Sequence, residues 1–215
     1  MRVVSVNVGL PREIMVNGDR VLTGIFKAPV QGRVAVRTLN VDGDRQADLT
    51  VHGGPDKAVY AYPHEHYPAW RALLKQDDLP AGAFGENLTL AGCTEEFVHI
   101  GDRLGIGTTE FVVTQPRMPC FKLAAKFRRP AIVREMLDNG FSGFYLAVTA
   151  QGEVGAGNAV EVISRDPEEV SVADLNRLFR SKFADRDLAR RALKAEGLAA
   201  VWREMLNERL ARDAW

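Results

Sequence analysis

This chain of 215 residues has few cysteines, no excess of charge of either sign and no long apolar run. Only Cys93 and Cys120 are present, too few for a disulfide framework, so a reducing cytoplasm is the expected location. Lys plus Arg and Asp plus Glu both number 28, which argues against a basic nucleic-acid-binding protein. No stretch approaches the roughly 18 apolar residues that a membrane span needs, and no signal peptide is recognisable. The sequence therefore predicts a cytoplasmic globular protein that binds neither nucleic acid nor membrane.

Glycine and proline are nearly missing from the end of the chain. Of 19 glycines only Gly197, and of 10 prolines only Pro167, lie after residue 165. Because both residues serve turns, residues 1–165 are predicted to form a turn-rich, mostly β domain, and residues 166–215 a small three-helix domain. Three short helices bury too little surface to be stable alone, so they are expected to pack on the first domain or on a second subunit of a homodimer.

Start and stop signals locate these three helices. Ser171 followed by Asp174 is typical of a capping box, and Asp185 is typical of a second helix start. Gly197 is expected to end that second helix in a left-handed conformation. The third helix would carry its apolar residues on one face, namely Leu198, Val201, Trp202, Met205, Leu206 and Leu210.

Upstream, short β-like runs are separated by glycine, which favours a barrel or a sandwich. The predicted strands are residues 3–8, 34–39, 48–51, 58–62, 87–90, 102–106, 110–114, 143–148 and 159–163. Two helices interrupt them, one after Pro68 and one between Pro130 and Gly140.

The first candidate site is the segment that begins at His52. The adjacent glycines Gly53 and Gly54 let backbone N–H groups point toward one position, which makes an anion-binding nest. Lys57 would add a positive charge and His52 a hydrogen-bond donor, so the segment is suited to a phosphate. A tight loop between two strands needs the same residue types, and both interpretations stay open.

The second candidate is the pair Glu86 and Asn87, which follows Gly85. The amide of Asn87 offers donors and an acceptor to a heteroaromatic ring, and Glu86 could accept hydrogen bonds from ring N–H groups. A glycine-rich approach to a strand has much the same composition, so this signal is weak alone.

The strongest candidate is Cys120, in the proline-rich segment of residues 115–122. It lies between Arg117 and Lys122, and nearby cations favour the thiolate, which is a nucleophile and a soft metal ligand. Flanking prolines stiffen the loop and would pre-position the sulfur. The alternative is that Cys120 is a small buried apolar residue, which is the expectation for Cys93 because it has no basic neighbours.

Taken together and in order, these segments resemble the MOSC family, the C-terminal domain of molybdenum cofactor sulfurases, and within it the YiiM-like subfamily with a C-terminal three-helix domain. The resemblance covers nearly the whole chain and rests on HGGPDKAVY (52–60), YPAW (67–70), GENLT (85–89), GD (101–102) and QPRMPCFKL (115–123). It implies a MOSC-type β-barrel with a few helices.

The resemblance also implies a cofactor and an activity. A cysteine thiolate in this family completes the sulfur ligands of the molybdenum cofactor (molybdopterin), and that position corresponds to Cys120 as metal ligand. The implied reaction is reduction of small N-hydroxylated compounds such as 6-N-hydroxylaminopurine, with electrons from separate redox proteins. Catalytic roles are expected for Cys120, His52 and Asp56. Cofactor binding is expected for Gly53, Gly54, Lys57, Glu86, Asn87, Arg117 and Lys122.

Several alternatives stay open. Cys120 could carry a persulfide and transfer sulfur, or the chain could be a non-catalytic carrier of the molybdenum cofactor. A pyridoxal phosphate protein would need a lysine Schiff base, and nothing singles out Lys57 or Lys122 for it. Aromatic side chains could stack on a purine or pack in the core, and the candidates are Tyr60, Tyr62 and Phe121.

Overall fold

The structure, a computed structural model, describes residues 1–47 and 53–212, which contain twelve strands and six α-helices. The strands are β1 (Arg2–Val8), β2 (Arg12–Val16), β3 (Asp19–Thr23), β4 (Ala28–Pro29), β5 (Arg33–Val36), β6 (Val59–Pro63), β7 (Leu88–Ala91), β8 (Arg103–Ile106), β9 (Thr109–Pro116), β10 (Phe144–Ala150), β11 (Gly152–Gly155) and β12 (Val160–Ser164). The helices are α1 (Tyr67–Leu74), α2 (Phe121–Phe127), α3 (Ile132–Asn139), α4 (Val172–Arg180), α5 (Arg186–Lys194) and α6 (Ala200–Arg212). Two single-turn 3-10 helices, Pro55–Lys57 and His64–His66, flank β6.

Eight strands form one mixed sheet in the order β12-β8-β9-β10-β6-β7-β1-β4, in which β6 and β7 run parallel and the other neighbours antiparallel. The start of β1 lies against the residues before β12, because Val3 N donates to Asn158 O at 2.9 Å and Val160 N donates to Met1 O at 3.1 Å. The sheet therefore curls toward a barrel without a continuous closing ladder in the described residues. The predicted fold class, a β domain with a few helices and a C-terminal helical region, is confirmed.

Eight of the predicted strands are present within one to three residues of their expected ends, and the ninth, residues 48–51, lies outside the described residues. The sequence prediction missed the hairpin of β2 and β3, the short strands β4 and β11, and helix α2. Both predicted helices of the β domain appear, as α1 and α3.

The predicted starts of the first two C-terminal helices are confirmed. Asp174 N donates to Ser171 Oγ at 3.0 Å and Ser171 N donates to Asp174 Oδ2 at 2.9 Å, which is the reciprocal capping box. Asp185 caps α5, since its Oδ1 accepts from Leu188 N at 3.0 Å.

The prediction for Gly197 was wrong. Helix α5 ends at Lys194, and Gly197 does not take a left-handed conformation. A side chain at Gly197 would bring its Cβ within 2.6 Å of Gly101 Cα and 2.7 Å of Val112 Cγ1. Glycine is needed at this position because the helical region lies directly against the β domain and leaves no space for a side chain.

The three C-terminal helices share the main apolar core with the large sheet. Leu175, Trp202 and Leu206 are buried in the same cluster as Leu104 and Val113. Fully burying one such side chain contributes about 1.5–3 kcal/mol. The helices thus pack on the β domain, the first of the two expected arrangements, and the division after residue 165 stays a prediction.

A second, aromatic-rich core lies between α1, α2, α3 and the sheet. Its largest members are Tyr62, Tyr67, Trp70 and Phe84. The Tyr62 and Phe84 rings stack with centroids 4.7 Å apart, and Trp70 Nε1 donates to the Tyr62 hydroxyl at 2.6 Å. This cluster supports one wall of the cleft described below.

Across the part of the chain that the structure describes, none of the helices combines the length and the apolar character needed to cross a bilayer.

Candidate functional site

Cys120 lies on the wall of an open cleft with about 600 Å³ of empty space, which we call the cysteine cleft. Its walls come from residues 23–27 and 44–47, from the turn before β6 and the start of β6, from residues 84–87 before β7, from residues 117–122 between β9 and α2 and at the start of α2, and from β10. The described lining residues are Thr23, Gly24, Ile25, Lys27, Asp44, Arg45, Gln46, Ala47, Lys57, Tyr60, Phe84, Gly85, Asn87, Arg117, Cys120, Lys122 and Tyr145.

The two cysteines occupy different surroundings. Cys120 is the last extended residue before α2, with φ −131° and ψ 174°, and it is partly exposed in the cleft. Cys93 is fully buried in the main core, and burial raises the pKa of its thiol to about 12. Cys93 is therefore a neutral core residue, as predicted, whereas Cys120 is a partly exposed residue of the cleft wall.

The cysteine cleft carries a surplus of positive charge. Five of its described lining residues are cationic, and one, Asp44, is a carboxylate; the cations are Lys27, Arg45, Lys57, Arg117 and Lys122. Asp44 pairs with the buried ammonium of Lys27, so this pair is close to neutral. The other cations produce a potential that attracts anions into the cleft.

Arg117 is the most buried of these cations, with 6% of its surface exposed. Its guanidinium carbon lies 5.3 Å from the Tyr60 ring centroid, and its Nη1 lies 3.4 Å from Met136 Sδ. Burial lowers the pKa of Arg117, but the Tyr60, Tyr145 and Cys120 side chains outweigh it and raise the pKa overall. No carboxylate among the described residues pairs with Arg117, and a buried charge is costly without an opposite partner. A bound anion would supply that partner beside Cys120.

The glycine segment reaches the cleft through Lys57. Gly54 has φ 92° and ψ 173°, a conformation that glycine favours, and it begins the 3-10 turn Pro55–Lys57. An added Cβ at Gly54 would meet nothing within 4 Å, so the space beside it is open. Within the described part of this segment only Lys57 lines the cleft, and burial lowers its pKa, partly offset by Asp56. His52 lies outside the described residues.

Asp56 faces away from the cysteine cleft. Its Oδ2 accepts a hydrogen bond from Ala200 N at 3.1 Å, at the first residue of α6. Its backbone oxygen accepts from Thr114 Oγ1 at 2.7 Å. In this structure Asp56 joins the turn that carries Lys57 to the C-terminal helices.

Asn87 lines the cleft, while Glu86 lies behind its wall. The Asn87 amide is already engaged, because its Oδ1 accepts from Tyr60 N at 3.1 Å and its Nδ2 donates to Asp44 Oδ2 at 2.9 Å. Glu86 is fully buried and is not among the described lining residues. Its carboxylate accepts from four donors, which are Gly82 N at 2.8 Å, Phe84 N at 3.0 Å, Thr89 Oγ1 at 2.9 Å and the Tyr67 hydroxyl.

The three aromatic candidates separate in space. Tyr60 lines the cleft, and its hydroxyl donates to Ser142 O at 2.8 Å. Tyr62 is fully buried in the aromatic core. Phe121 is 53% exposed, next to Cys120. Phe121 therefore remains available for ligand contact, whereas Tyr60, with 5% of its surface exposed, and Tyr62 serve packing.

The cleft residues that sequence reasoning missed include Lys27, Asp44, Arg45 and Tyr145. Lys27 and Asp44 lie outside the regular strands, and no motif marks them. Tyr145 lies in the predicted strand 143–148. In the structure, β10 pairs it directly with Gln115, two residues before Arg117. Burial raises the pKa of Tyr145, so its hydroxyl stays protonated at neutral pH.

Among residues 1–47 and 53–212, no group of three or more His, Cys, Asp or Glu side chains is arranged to hold a metal ion.

Two family models match separate stretches of the chain. The family model described as "MOSC domain" matches residues 48–161, and the one described as "YiiM-like, 3-alpha helix domain" matches residues 170–213. The protein YiiM of Escherichia coli (strain K12) is 38% identical over 189 residues, which are 87% of this chain and 84% of that protein. A protein of Gibberella moniliformis named "Reductase" is 32% identical over 168 residues, which are 77% of this chain and 30% of that protein.

Solved structures are similar over nearly the full length. The crystal structure of YiiM from Geobacillus stearothermophilus has a TM-score of 0.82 at 34% identity and covers 97% of this chain and 98% of its own. The crystal structure of YiiM from Escherichia coli has a TM-score of 0.77 at 31% identity, with coverage of 99% and 94%. The chain therefore belongs to the MOSC domain family, and it carries the three-helix domain of the YiiM-like members.

Proposed function

We propose that the cysteine cleft binds a molybdenum cofactor and that the chain uses it to reduce N-hydroxylated compounds such as 6-N-hydroxylaminopurine. Membership of the MOSC family supports the class of cofactor, and the fungal relative named "Reductase" supports a redox reaction. The observation that carries the proposal is the position of Cys120 on the wall of a cleft that is rich in cations.

The residues of the cleft fit this cofactor. Molybdenum is bound by sulfur, and a thiolate is the soft ligand that Cys120 can provide. The phosphate of the cofactor needs cationic hydrogen-bond donors, and Arg117, Lys57 and Lys122 line the same space. The buried guanidinium of Arg117 has no carboxylate partner in the described residues, so it is suited to a bound anion.

When bound, the cofactor would supply the two electrons that break the N–O bond of the substrate. The chain's own part is to bind, orient and protonate. Arg117 and Tyr145 lie at the cleft beside Cys120, and the exposed ring of Phe121, the residue after Cys120, offers an aromatic surface for a purine. Release of water needs a proton donor. Asp56 faces α6, so proton donation stays proposed for His52, and separate redox proteins stay the proposed electron donors.

Molybdenum content tests the ligand assignment. The protein would be purified from cells able to make the cofactor, as the native chain and as Cys120→Ser and Cys93→Ser. We expect molybdenum in the native protein and in Cys93→Ser, and a fall to background in Cys120→Ser, because serine lacks the soft sulfur donor. Cys93→Ser is the matched control for the same chemical change. Equal molybdenum in native and Cys120→Ser protein would refute Cys120 as the ligand.

Turnover separates the enzyme from its alternatives. Reduction of 6-N-hydroxylaminopurine by the molybdenum-loaded protein with an artificial electron donor would support the enzyme, and bound molybdenum without turnover with any donor would support a carrier. Sulfur on Cys120 that is released by cyanide, in protein without molybdenum, would support sulfur transfer. A borohydride-trapped lysine would support a pyridoxal phosphate protein.

A further inference from the structure

A second basic groove lies on the other side of Lys27 from the cysteine cleft. We call it the outer cleft, and it has about 1230 Å³ of empty space. Lys27 lines both clefts, so the segment around Phe26 and Lys27 separates them. The residues that matter for its chemistry are Arg12, Phe26, Lys126, Phe127 and Arg128.

The outer cleft is cationic, with no carboxylate among its described lining residues. Arg12 at the start of β2 and Arg128 after α2 are exposed, and Lys126 is partly buried. Within the described residues none of these three cations forms an ion pair. The groove therefore attracts anions.

Lys126 is held by neutral groups. Its Nζ donates to Ile25 O at 2.9 Å and to Gly82 O at 3.1 Å. Burial lowers the pKa of Lys126 to about 8; Glu86 opposes this change, whereas Arg117, Lys27 and Arg12 add to it. An anion beside Lys126 would favour the ammonium and relieve the repulsion between these cations.

Two aromatic rings border the same groove. Phe127 is fixed by stacking on Phe84, with centroids 5.4 Å apart. Phe26 is partly exposed; the Arg12 guanidinium stacks over one face of its ring at 3.4 Å from the centroid, and the Lys126 ammonium lies 5.3 Å from the centroid. The cations and the aromatic rings thus line the same groove. The cations alone would select an anion, and the rings alone would select a neutral aromatic compound.

We propose that the outer cleft binds a phosphorylated aromatic compound, for which a nucleoside monophosphate is the simplest probe, with the phosphate at Arg12, Lys126 and Arg128 and the ring against Phe26 and Phe127. An inorganic anion would use the cations only, and a neutral base would use the rings only. This site involves neither Cys120 nor molybdenum.

Equilibrium dialysis of the full-length protein against AMP, adenosine and inorganic phosphate tests the proposal. We expect AMP to bind at least tenfold more tightly than adenosine or phosphate, and Arg12→Gln and Arg128→Gln each to weaken AMP binding by about tenfold, since each removes a charge-assisted hydrogen bond. Arg20→Gln is the matched control, because Arg20 lies on the same hairpin, is exposed and pairs with Glu13 at 3.7 Å. Its AMP affinity should equal that of the native chain.

Three results would overturn the inference. AMP affinity could be unchanged in both Arg12→Gln and Arg128→Gln. Adenosine or phosphate alone could bind as tightly as AMP. Lys122→Gln could weaken AMP binding while Arg12→Gln does not, which would place the nucleotide in the cysteine cleft. The molybdenum content of Arg12→Gln protein should stay at the native level. This measurement tells a failure of the outer-cleft proposal apart from a failure of the proposed molybdenum site.

Discussion

Replacing Glu86 by glutamine distinguishes two roles for a residue that the sequence suggested as a cofactor contact. In the structure the Glu86 carboxylate is fully buried and accepts hydrogen bonds from Gly82 N, Phe84 N, Thr89 Oγ1 and the Tyr67 hydroxyl. Burial and the charge of Glu86 together raise the pKa of Tyr67, so that hydroxyl remains a donor. The geometry therefore predicts that Glu86→Gln lowers stability.

The size of the effect follows from the four donors. Glutamine can keep one oxygen at the position that accepts from Gly82, Thr89 and Tyr67, but its amide nitrogen then faces Phe84 N–H. Leaving that buried N–H without an acceptor costs about 1–3 kcal/mol. The three remaining bonds lose their charge assistance, which roughly halves their strength. We expect the free energy of unfolding to fall by about 3 kcal/mol, and Tm by about 6–12 °C for a chain of this size.

Urea and thermal unfolding of the native chain, Glu86→Gln and the control Glu13→Gln measure this prediction. Glu13 is exposed and its ion pair with Arg20 is long, so Glu13→Gln should stay within about 0.5 kcal/mol of the native chain. Molybdenum content of folded Glu86→Gln protein should be near native. Native-like stability of Glu86→Gln together with a loss of molybdenum would contradict the structural role and restore Glu86 as a cofactor contact.

Two further predictions concern the helical region and the outer cleft. Asp56→Ala removes the side-chain acceptor for Ala200 N at the start of α6 and should lower the free energy of unfolding by about 1 kcal/mol, measured in urea, and an unchanged urea midpoint would contradict the cap. Lys126→Met should remove a pH-dependent part of stability. The unfolded lysine keeps its proton up to about pH 10.4 and the folded one only to about 8, so the cost of burying the ammonium is full below pH 8 and disappears as pH rises. Between pH 8 and 9.5 the native chain should therefore gain stability relative to Lys126→Met, by on the order of 1 kcal/mol. A difference that does not change with pH would show that Lys126 keeps an ordinary pKa.

Most of the fold could be predicted because glycine marks the ends of the strands, but two elements near the sites were missed. The β2–β3 hairpin turns at Asn17 and Gly18, with φ of 51° and 93°. This dipeptide is a strong hairpin signal, but the predicted strands did not include it. Helix α2 has only seven residues, too few to show a helical period, and Cys120 gives it no side-chain cap. The residue expected to be the metal ligand thus directly precedes a helix that the sequence did not reveal.

The candidate site was predicted only in part, because a sequence does not show which side chains converge in space. Residue type and spacing pointed to Cys120, Arg117, Lys122, Lys57 and Asn87, and all five line one cleft. Their proposed roles stay predictions, but their convergence was not visible in any single segment. What a sequence cannot show is the direction of a side chain among competing partners, and this separates Asn87 at the cleft from Glu86 behind it.

The charge of the cleft arises from how the neighbouring acids are used. Asp44 pairs with Lys27, Glu86 accepts from donors of its own turn and of the aromatic core, and Asp56 caps α6. Each of these acids has a partner inside the fold, so none neutralises Arg117 or Lys122 at the cleft. A net charge of zero therefore excludes a uniformly basic surface but not a basic cavity. Attraction of an anion to the space beside Cys120 therefore depends on keeping these carboxylates occupied elsewhere in the fold.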